Sequence, residues 1–124
     1  MPRYVDGFLL PVPKKKIPAY RRMAQEAGKV WREHGALEFR ECAADDVKAK
    51  GAVSFPRSVK LKPGETVFFS YIVFKSRAHR DAVNRKVMKH PWVAKMMTDP
   101  KAMPFDVKRM LYGGFKVVVD LASK

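Results

Sequence analysis

Three polar residues, Asp6, His34 and Glu38, have side chains that could perform acid–base chemistry. The imidazole of His34 titrates near neutral pH, so it can accept or donate a proton, and the carboxylate of Asp6 or Glu38 could orient it. His34 and Glu38 flank the Gly35-Ala36-Leu37 junction, and Asp6 is the one charge in an aromatic and aliphatic segment. We take these three as the catalytic candidates. The alternative is that Asp6 pairs with a nearby Lys or Arg and that His34 is an exposed helix-end residue.

Six aromatic side chains are candidates for the walls of a ligand cavity between helices and sheet. Small-molecule sites combine apolar walls with a few convergent polar groups, which Asp6, His34 and Glu38 could supply. The alternative is that the same side chains form an ordinary hydrophobic core. The candidate wall residues are Tyr4, Phe8, Trp31, Phe39, Phe69 and Tyr71.

Three arginines, Arg77, Arg80 and Arg109, are candidates for an anion-binding site. Arg109 and Tyr112 belong to a polar cluster that starts at Asp106, and the fold could bring Arg77 or Arg80 beside it. The alternative is an ordinary ion pair between Asp106 and Arg109, which stand three residues apart. Spacing alone does not choose between the two.

Motifs for metal, phosphate or covalent chemistry are absent from the sequence. It has no nucleophile elbow, no phosphate-cradling glycine loop and no dinucleotide fingerprint, so we expect no cofactor. His34, His79 and His90 lack the spacing of metal ligands, so no metal site is expected. Cys42 is the single cysteine, which excludes an intrachain disulfide, and we expect it to be a small buried residue, the alternative being a reactive thiol.

The chain is strongly basic, with 26 Lys and Arg against 12 Asp and Glu and a formal net charge of +14. Such a charge attracts nucleic acid or acidic ligands. Only Lys14-Lys15-Lys16 forms a tight basic run, so a solvated surface is the plainer interpretation. RNA or DNA binding is the alternative function. An RNP-type sequence is missing, because Gly113-Gly114-Phe115-Lys116 departs from that pattern.

The sequence shows no membrane or export signal. No apolar run approaches the ~20 residues that span a bilayer, and the N-terminus lacks the features of a signal peptide. We therefore expect a cytoplasmic protein that does not bind membranes. Its length of 124 residues suits one domain, over residues 1–124.

Hydrophobic periodicity predicts four strands and two main helices. Pro11 and Pro13 should end the first strand, since proline cannot donate to a ladder. The predicted elements are a strand Tyr4–Leu10, a helix from Lys15 or Ile17 to His34, a strand Leu37–Ala44, an extended piece Arg57–Lys62, a strand Thr66–Phe74, a helix Arg77–Lys89 capped by Ser76, a short helix from Pro91 through Met97, and a strand Gly114–Leu121.

The order β-α-β-β-α-β predicts an α+β, ferredoxin-like fold with an antiparallel four-stranded sheet. Two helices cover one face of such a sheet, yet the first and third strands are apolar on both faces. A large apolar face is rarely left in water. The simplest cover is a second copy of the same sheet, so we expect a homodimer with two-fold symmetry.

Several longer segments resemble the YbaA-like bacterial family, a family of unknown function. These are Tyr4-Val5-Asp6-Gly7-Phe8, the stretch from Val30 to Ala36, Phe55-Pro56-Arg57, the stretch from Lys75 to Asp81, Met103-Pro104-Phe105-Asp106 and Gly113-Gly114-Phe115. The resemblance covers nearly the whole chain. It implies a dimeric α/β barrel, a pair of ferredoxin-like sheets related to small antibiotic-synthesis monooxygenases and stress-responsive barrel proteins. It implies no activity and no catalytic residue.

Overall fold

The computed structural model describes residues 1–48 and 50–121, which form four strands and four α-helices. Short 3₁₀ turns lie at Lys14–Lys16, Pro100–Ala102 and Val107–Arg109. Within this part of the chain, no helix has the length and apolar character needed to cross a membrane. In chain order the elements are β1 (Tyr4–Pro13), α1 (Ile17–Glu33), β2 (Glu38–Ala43), α2 (Phe55–Ser58), β3 (Glu65–Phe74), α3 (Arg77–Met88), α4 (Pro91–Thr98) and β4 (Leu111–Lys116).

The strands form one antiparallel sheet in the spatial order β2-β3-β1-β4. Tyr4 of β1 lies opposite Phe74 of β3 on one side and opposite Lys116 of β4 on the other. The edge strands β2 and β4 do not pair with each other, so the sheet of a single chain is open. This strand order, with helices after the first and third strands, is ferredoxin-like and confirms the predicted α+β fold class.

The helices cover the sheet face to which the even-numbered residues of β1 point. Val30 of α1, Val83 of α3 and Val93 of α4 belong to one buried cluster with Ile72 and Phe74 of β3. A second cluster joins α1 to the other end of the sheet, and its buried members are Leu10, Val12, Tyr20, Ala24 and Phe68. We call this side of the sheet the covered face.

Helix α1 confirms the predicted amphipathic stripe and its stop signal. Tyr20, Ala24 and Gly28 are buried on the side that faces the sheet. A Cβ at Gly28 would lie 2.8 Å from Cδ1 of Phe39, so the missing side chain lets the Phe39 ring lie against the helix. The chain turns at Gly35 with a φ of 114°, a conformation that glycine adopts without steric cost.

Capping residues explain the starts of two further helices. Ser76 accepts a hydrogen bond from the backbone N–H of His79 at 3.1 Å, which confirms the predicted cap of α3. Ser54 accepts from the N–H of Arg57 at 3.3 Å and begins α2. The prediction of an extended piece from Arg57 was therefore wrong. A serine cap followed by Pro56 in the first turn favours a helix instead.

Strand β1 runs three residues further than predicted, through both prolines. Pro11 and Pro13 remain paired with β3, opposite Val67 and Glu65. Strand β4 ends its pairing with β1 at Leu9, so beyond that point β1 is an edge strand. A proline is tolerated there, because its missing N–H can face the side that has no partner strand.

Strand β4 begins three residues and ends five residues earlier than predicted, at Leu111–Lys116 instead of Gly114–Leu121. The residues after Lys116 are mostly apolar, but β1 begins at Tyr4. Beyond it the two segments are joined by a hydrogen bond from the N–H of Val117 to the carbonyl of Arg3 at 3.0 Å, and the ladder does not continue. Val118 is accordingly 86% exposed. Gly114 lies inside the strand, where a Cβ would come within 2.5 Å of the Tyr4 hydroxyl.

The opposite side of the sheet is not covered by α1, α3 or α4 and is largely apolar. Val67 and Val73 on this side are buried within the single chain, whereas Phe69, Leu111 and Phe115 are 47%, 47% and 62% exposed. Cys42 of β2, opposite Phe69, is also exposed, so the prediction of a buried cysteine was wrong. We call this side the open face, and its apolar members are Val5, Leu9, Val67, Phe69, Tyr71, Val73, Leu111 and Phe115.

Candidate functional site

A cavity of about 440 Å³ lies between the covered face and the helices α1, α3 and α4. The segment between α4 and β4 closes part of its wall, through Met103, Phe105 and Met110. We call it the central cavity. Its principal aromatic and aliphatic walls are Phe8, Trp31, Phe39, Ile72, Trp92 and Phe105.

One end of the central cavity is lined by a carboxylate and a phenol, and a guanidinium outside the lining contacts both. Oδ1 of Asp6 accepts hydrogen bonds from Nη1 of Arg80 at 3.0 Å and from the hydroxyl of Tyr112 at 3.2 Å. Nη1 of Arg80 also donates to the Tyr112 hydroxyl at 2.7 Å. Asp6 is only 2% exposed. These three residues, which we call the Asp6 cluster, come from β1, α3 and β4.

The surrounding elements determine the geometry of the Asp6 cluster. Asp6 on β1 lies opposite Gly114, and Tyr112 stands two residues before Gly114 on the same face of β4. The guanidinium of Arg80 lies over the Tyr4 ring, 4.8 Å from its centroid, in cation–π geometry. Arg80 also forms an ion pair with Asp81, with 2.8 Å between Nε and Oδ1.

Burial is the largest influence on the pKa values of Asp6 and Tyr112. Loss of hydration raises the pKa of Asp6 above its ordinary value, against the opposing influence of the Arg80 charge and the Tyr112 hydrogen bond. Burial likewise raises the pKa of Tyr112. A carboxyl group in this position takes up a proton at higher pH than an exposed aspartate, beside a phenol that stays protonated.

A second carboxyl group lies further along the same cavity. Oε1 of Glu41 accepts a hydrogen bond from the Tyr20 hydroxyl at 2.7 Å, and burial raises the pKa of Glu41 despite that bond. Glu41 lies opposite Ser70, which in turn lies opposite Phe8. Asn84 of α3 also borders the cavity, and its Oδ1 accepts from Nε1 of Trp31 at 3.0 Å.

The structure does not bring the three catalytic candidates together. Asp6 lies opposite Ile72 and Glu38 opposite Val73, so the two carboxylates point to opposite faces of the sheet. Glu38 forms an ion pair with Arg40 there. His34 follows α1, where its ring centroid lies 6.4 Å from that of His90. Of the three, Asp6 alone lines the central cavity.

The six candidate wall residues are divided between the two faces. Phe8, Trp31 and Phe39 line the central cavity. Tyr4 is buried in the core beneath Arg80. The rings of Phe69 and Tyr71 lie 5.9 Å apart on the open face, so Tyr71 can border the cavity only through its main chain.

Two of the three candidate arginines, Arg80 and Arg109, are engaged by different carboxylates. Arg77 is exposed at the start of α3, and Arg80 belongs to the Asp6 cluster. Arg109 binds Glu65 through two hydrogen bonds of 2.6 and 2.9 Å, in place of the expected pair with Asp106. These bonds lower the pKa of Glu65, and Arg109 also donates to the carbonyl of Lys60 at 3.0 Å.

A groove between α1 and β2 gathers some of the basic residues. Most of these cations are already engaged within the chain. Lys29 pairs with Glu26 at 3.3 Å, and Arg32 donates to the carbonyl of Ala36 at 2.9 Å. Within residues 1–48 and 50–121, no group of three or more His, Cys, Asp or Glu residues could hold a metal ion. The basic residues that line the groove are Arg21, Lys29, Arg32 and Arg40.

Sequence reasoning missed Tyr112 as a partner of Asp6 and did not select Glu41, Tyr20 or Asn84. The signal for Glu41 was present, because strand alternation places it on the same face as Phe39. No comparable signal existed for Tyr112, since 106 positions separate it from Asp6. Only the register of β4 against β1 brings them together.

Comparison with known proteins supports the fold and shows the family. A dimeric ferredoxin-like protein from an uncultured marine organism superposes with a TM-score of 0.60 and 14% identity, covering 98% of this chain and 100% of its own. At this identity the likeness shows a shared fold.

Sequence relatives are much closer. The uncharacterized protein YbaA of Escherichia coli K12 is 44% identical over 118 residues, which cover 95% of this chain and 98% of YbaA. YbaA of Shigella flexneri matches to the same extent. The family model described as a protein of unknown function, DUF1428, matches residues 3–107. The predicted resemblance is thus confirmed, and the chain belongs to the DUF1428 family, whose function is unknown.

Proposed function

We propose that this chain binds a small organic molecule in the central cavity and acts as a homodimer joined through the open faces of its sheets. The observation that carries the binding proposal is the Asp6 cluster at one end of an otherwise apolar cavity. A volume of about 440 Å³ lies within the range of roughly 300–1,000 Å³ that is typical of ligand sites.

The Asp6 cluster supports binding more directly than it supports stability. A carboxylate that is 2% exposed loses most of its hydration, and an apolar side chain would avoid that cost. The cluster nevertheless places an acceptor and a donor beside the cavity. Because the pKa of Asp6 is raised, the same pair could also exchange a proton with a bound molecule.

The composition of the open face supports the homodimer. Phe69, Leu111 and Phe115 expose about half or more of their surface in a single chain. An apolar surface of this kind usually marks an interaction site, and two-fold symmetry lets one patch cover its own copy. The ferredoxin-like neighbour from the marine organism is described as dimeric, which agrees with this arrangement.

A panel of metabolites, screened by thermal shift, tests the binding proposal. Ala27 of α1 lines the cavity, so Ala27→Leu fills part of its volume. Ala94→Leu adds the same atoms at an exposed position of α4 and serves as the matched control. We expect at least one compound to raise the melting temperature of the wild type and of Ala94→Leu but not of Ala27→Leu. Shifts that persist in Ala27→Leu would contradict binding in this cavity.

A further inference from the structure

The methionines of this chain are concentrated around the central cavity. The sequence has seven methionines, and six of them line the cavity, which leaves only Met1 elsewhere. Five come from the end of α3, from α4 and from the segment that leads to β4, opposite the sheet. The six residues are Met23, Met88, Met96, Met97, Met103 and Met110.

A wall of methionine thioethers can adapt to the shape of an apolar ligand. Methionine is unbranched and polarizable and changes rotamer at low cost, so such surfaces fit apolar bodies of different shape. The opposite wall consists of sheet residues such as Phe8 and Ile72, which the strand ladders hold in place. The cavity therefore combines one rigid wall with one adaptable wall.

The charges around the cavity contrast with those of the whole chain. The net charge is +14, yet the charged side chains that reach the cavity from the covered face are the carboxyl groups of Asp6 and Glu41. Arg40 also borders the cavity, but strand alternation points its side chain to the open face, where its guanidinium pairs with Glu38. The Arg80 charge behind Asp6 is matched by Asp6 and Asp81. Among the described residues that line the cavity, the one cationic side chain, that of Arg40, is already paired, so none is left to receive an anionic ligand.

A cationic ligand is also disfavoured. The positive potential of the surface repels cations on their approach. Inside, Asp6 already has Arg80 as its counter-charge, and Tyr20 already donates to Glu41. Arg80 and Tyr112 both bind Oδ1 of Asp6, and the side chain of Asn84 also hydrogen-bonds this carboxyl group. A carboxylate can accept about four hydrogen bonds, so these three partners leave acceptor capacity for one donor from a ligand.

From this arrangement we propose that the ligand of the central cavity is an uncharged, predominantly apolar molecule with one hydrogen-bond donor, and that the methionine wall accepts apolar bodies of more than one shape. This inference rests on the proposed function and names the class of molecule that the cavity takes. The basic surface plays no part in recognising it.

Two fluorescent probes with the same ring system test the proposal. N-phenyl-1-naphthylamine is uncharged and has one N–H donor, and 1-anilinonaphthalene-8-sulfonate is the same molecule with a sulfonate group. We expect the uncharged probe to bind once per chain, with an affinity that changes little between low and high salt. Ala27→Leu should weaken this binding by about tenfold, which corresponds to roughly 1.4 kcal/mol. Ala94→Leu should leave it unchanged.

The sulfonated probe should behave in the opposite way. It should bind the basic surface weakly, lose its signal as salt rises, and respond equally to both variants. If Ala27→Leu does not fold, Met96→Trp fills the cavity from α4 and replaces it in the same comparison.

Two outcomes overturn the inference in different ways. Tighter, cavity-dependent binding of the sulfonated probe would show that the cavity takes anions, which contradicts the ligand class and leaves the proposed function standing. Binding of both probes that is insensitive to Ala27→Leu and Met96→Trp would contradict the ligand class and the proposed cavity together.

Discussion

The two faces of the sheet are made by alternate residues of the same four strands, yet they differ in chemistry. The covered face holds Asp6, Glu41 and Ser70 among its apolar residues, with a cavity above them. The central strands of the open face present Val5, Leu9, Phe69 and Val73 in the corresponding positions. Polar groups that are costly to bury are thus concentrated where a cavity can use them.

The two faces therefore offer two different kinds of binding surface. The covered face leaves a concave space with donors and acceptors at one end, which suits a small molecule. The open face is a broad surface of apolar side chains, which suits another protein surface, and we propose a second copy of this chain. Five predictions test this division, from the largest expected effect to the smallest.

The first prediction concerns the open face. Phe115→Glu places a charge at the most exposed aromatic residue of that face, which is 62% exposed in a single chain. In the proposed dimer each copy would bury an unpaired carboxylate, so the dissociation constant should rise by about 100-fold or more. Analytical ultracentrifugation over a concentration series measures it. Val53→Glu, at an exposed loop residue, is the control and should leave the dissociation constant unchanged. A wild type that is monomeric at all concentrations would contradict the proposed dimer.

The second prediction concerns the buried ion pair of the covered face. Asp6→Ala leaves the guanidinium of Arg80 without its buried partner, and the side chain of Arg80 is only 13% exposed. Removing one member of a buried pair costs about 3 kcal/mol of unfolding free energy. Glu38→Ala breaks the exposed pair with Arg40 on the open face and should cost less than about 1 kcal/mol. Chemical denaturation measures both, and equal losses would contradict the comparison.

The third prediction concerns the close contact of α1 with the covered face. Gly28→Ala places a methyl group 2.8 Å from the Phe39 ring, so the ring must move. Overpacking should outweigh the gain in helix propensity and lower the unfolding free energy by about 1–2 kcal/mol. The double variant Gly28→Ala/Phe39→Leu should recover part of this loss, because the smaller side chain relieves the contact. If the losses of unfolding free energy of the two single variants simply add in the double variant, the two residues do not interact.

The fourth prediction concerns the pH dependence of Asp6. Its pKa in the folded protein is raised above the ordinary value of 3.8, so the folded state binds the proton more tightly than the unfolded state. Stability contributed by this group should therefore increase as the pH falls from neutral through the raised pKa. Urea denaturation of the wild type and Asp6→Asn across this range measures the difference between them. If the wild type instead loses stability relative to Asp6→Asn as the pH falls, the pKa of Asp6 is not raised.

The fifth prediction has the opposite sign and the smallest effect. The pKa of Glu65 is lowered from its ordinary value of 4.5 by the hydrogen bonds from Arg109. The stability that this pair contributes is present above pH 4.5 and is lost as the pH falls through the lowered pKa. Glu65→Gln should therefore melt slightly below the wild type at neutral pH, and the two melting temperatures should converge in acid. A constant difference would show that the charge of Glu65 is not responsible.

Local patterns allowed much of the fold to be predicted. Ser76, Gly35 and the stripe of α1 act on residues within four or five positions, so their consequences can be seen in the sequence itself. The errors came from long-range constraints. The end of β4 depends on where β1 begins, at Tyr4, and the tolerance of Pro11 depends on where β4 stops pairing with β1.

The candidate site shows the same division more sharply. Alternation in β1 was enough to select Asp6, Phe8 and their shared face, because side chains alternate with a period of two in any strand. It could not show that Glu38 points away from Asp6, since that relation depends on the register of β2 and β1 against β3. Arg80 and Tyr112 reach Asp6 across 74 and 106 positions of the chain.

The sequence by itself therefore determined the four strands and the main helices, their order and the apolar character of both sheet faces, because periodicity and capping act over a few residues. The tertiary structure alone decided which polar groups meet. The register of β4 against β1 brought Asp6 and Tyr112 into contact, and the segment between α4 and β4 placed its methionines at the cavity wall. Hydrogen bonds depend on distances between chemical groups, and for groups far apart in the chain only the folded structure sets those distances.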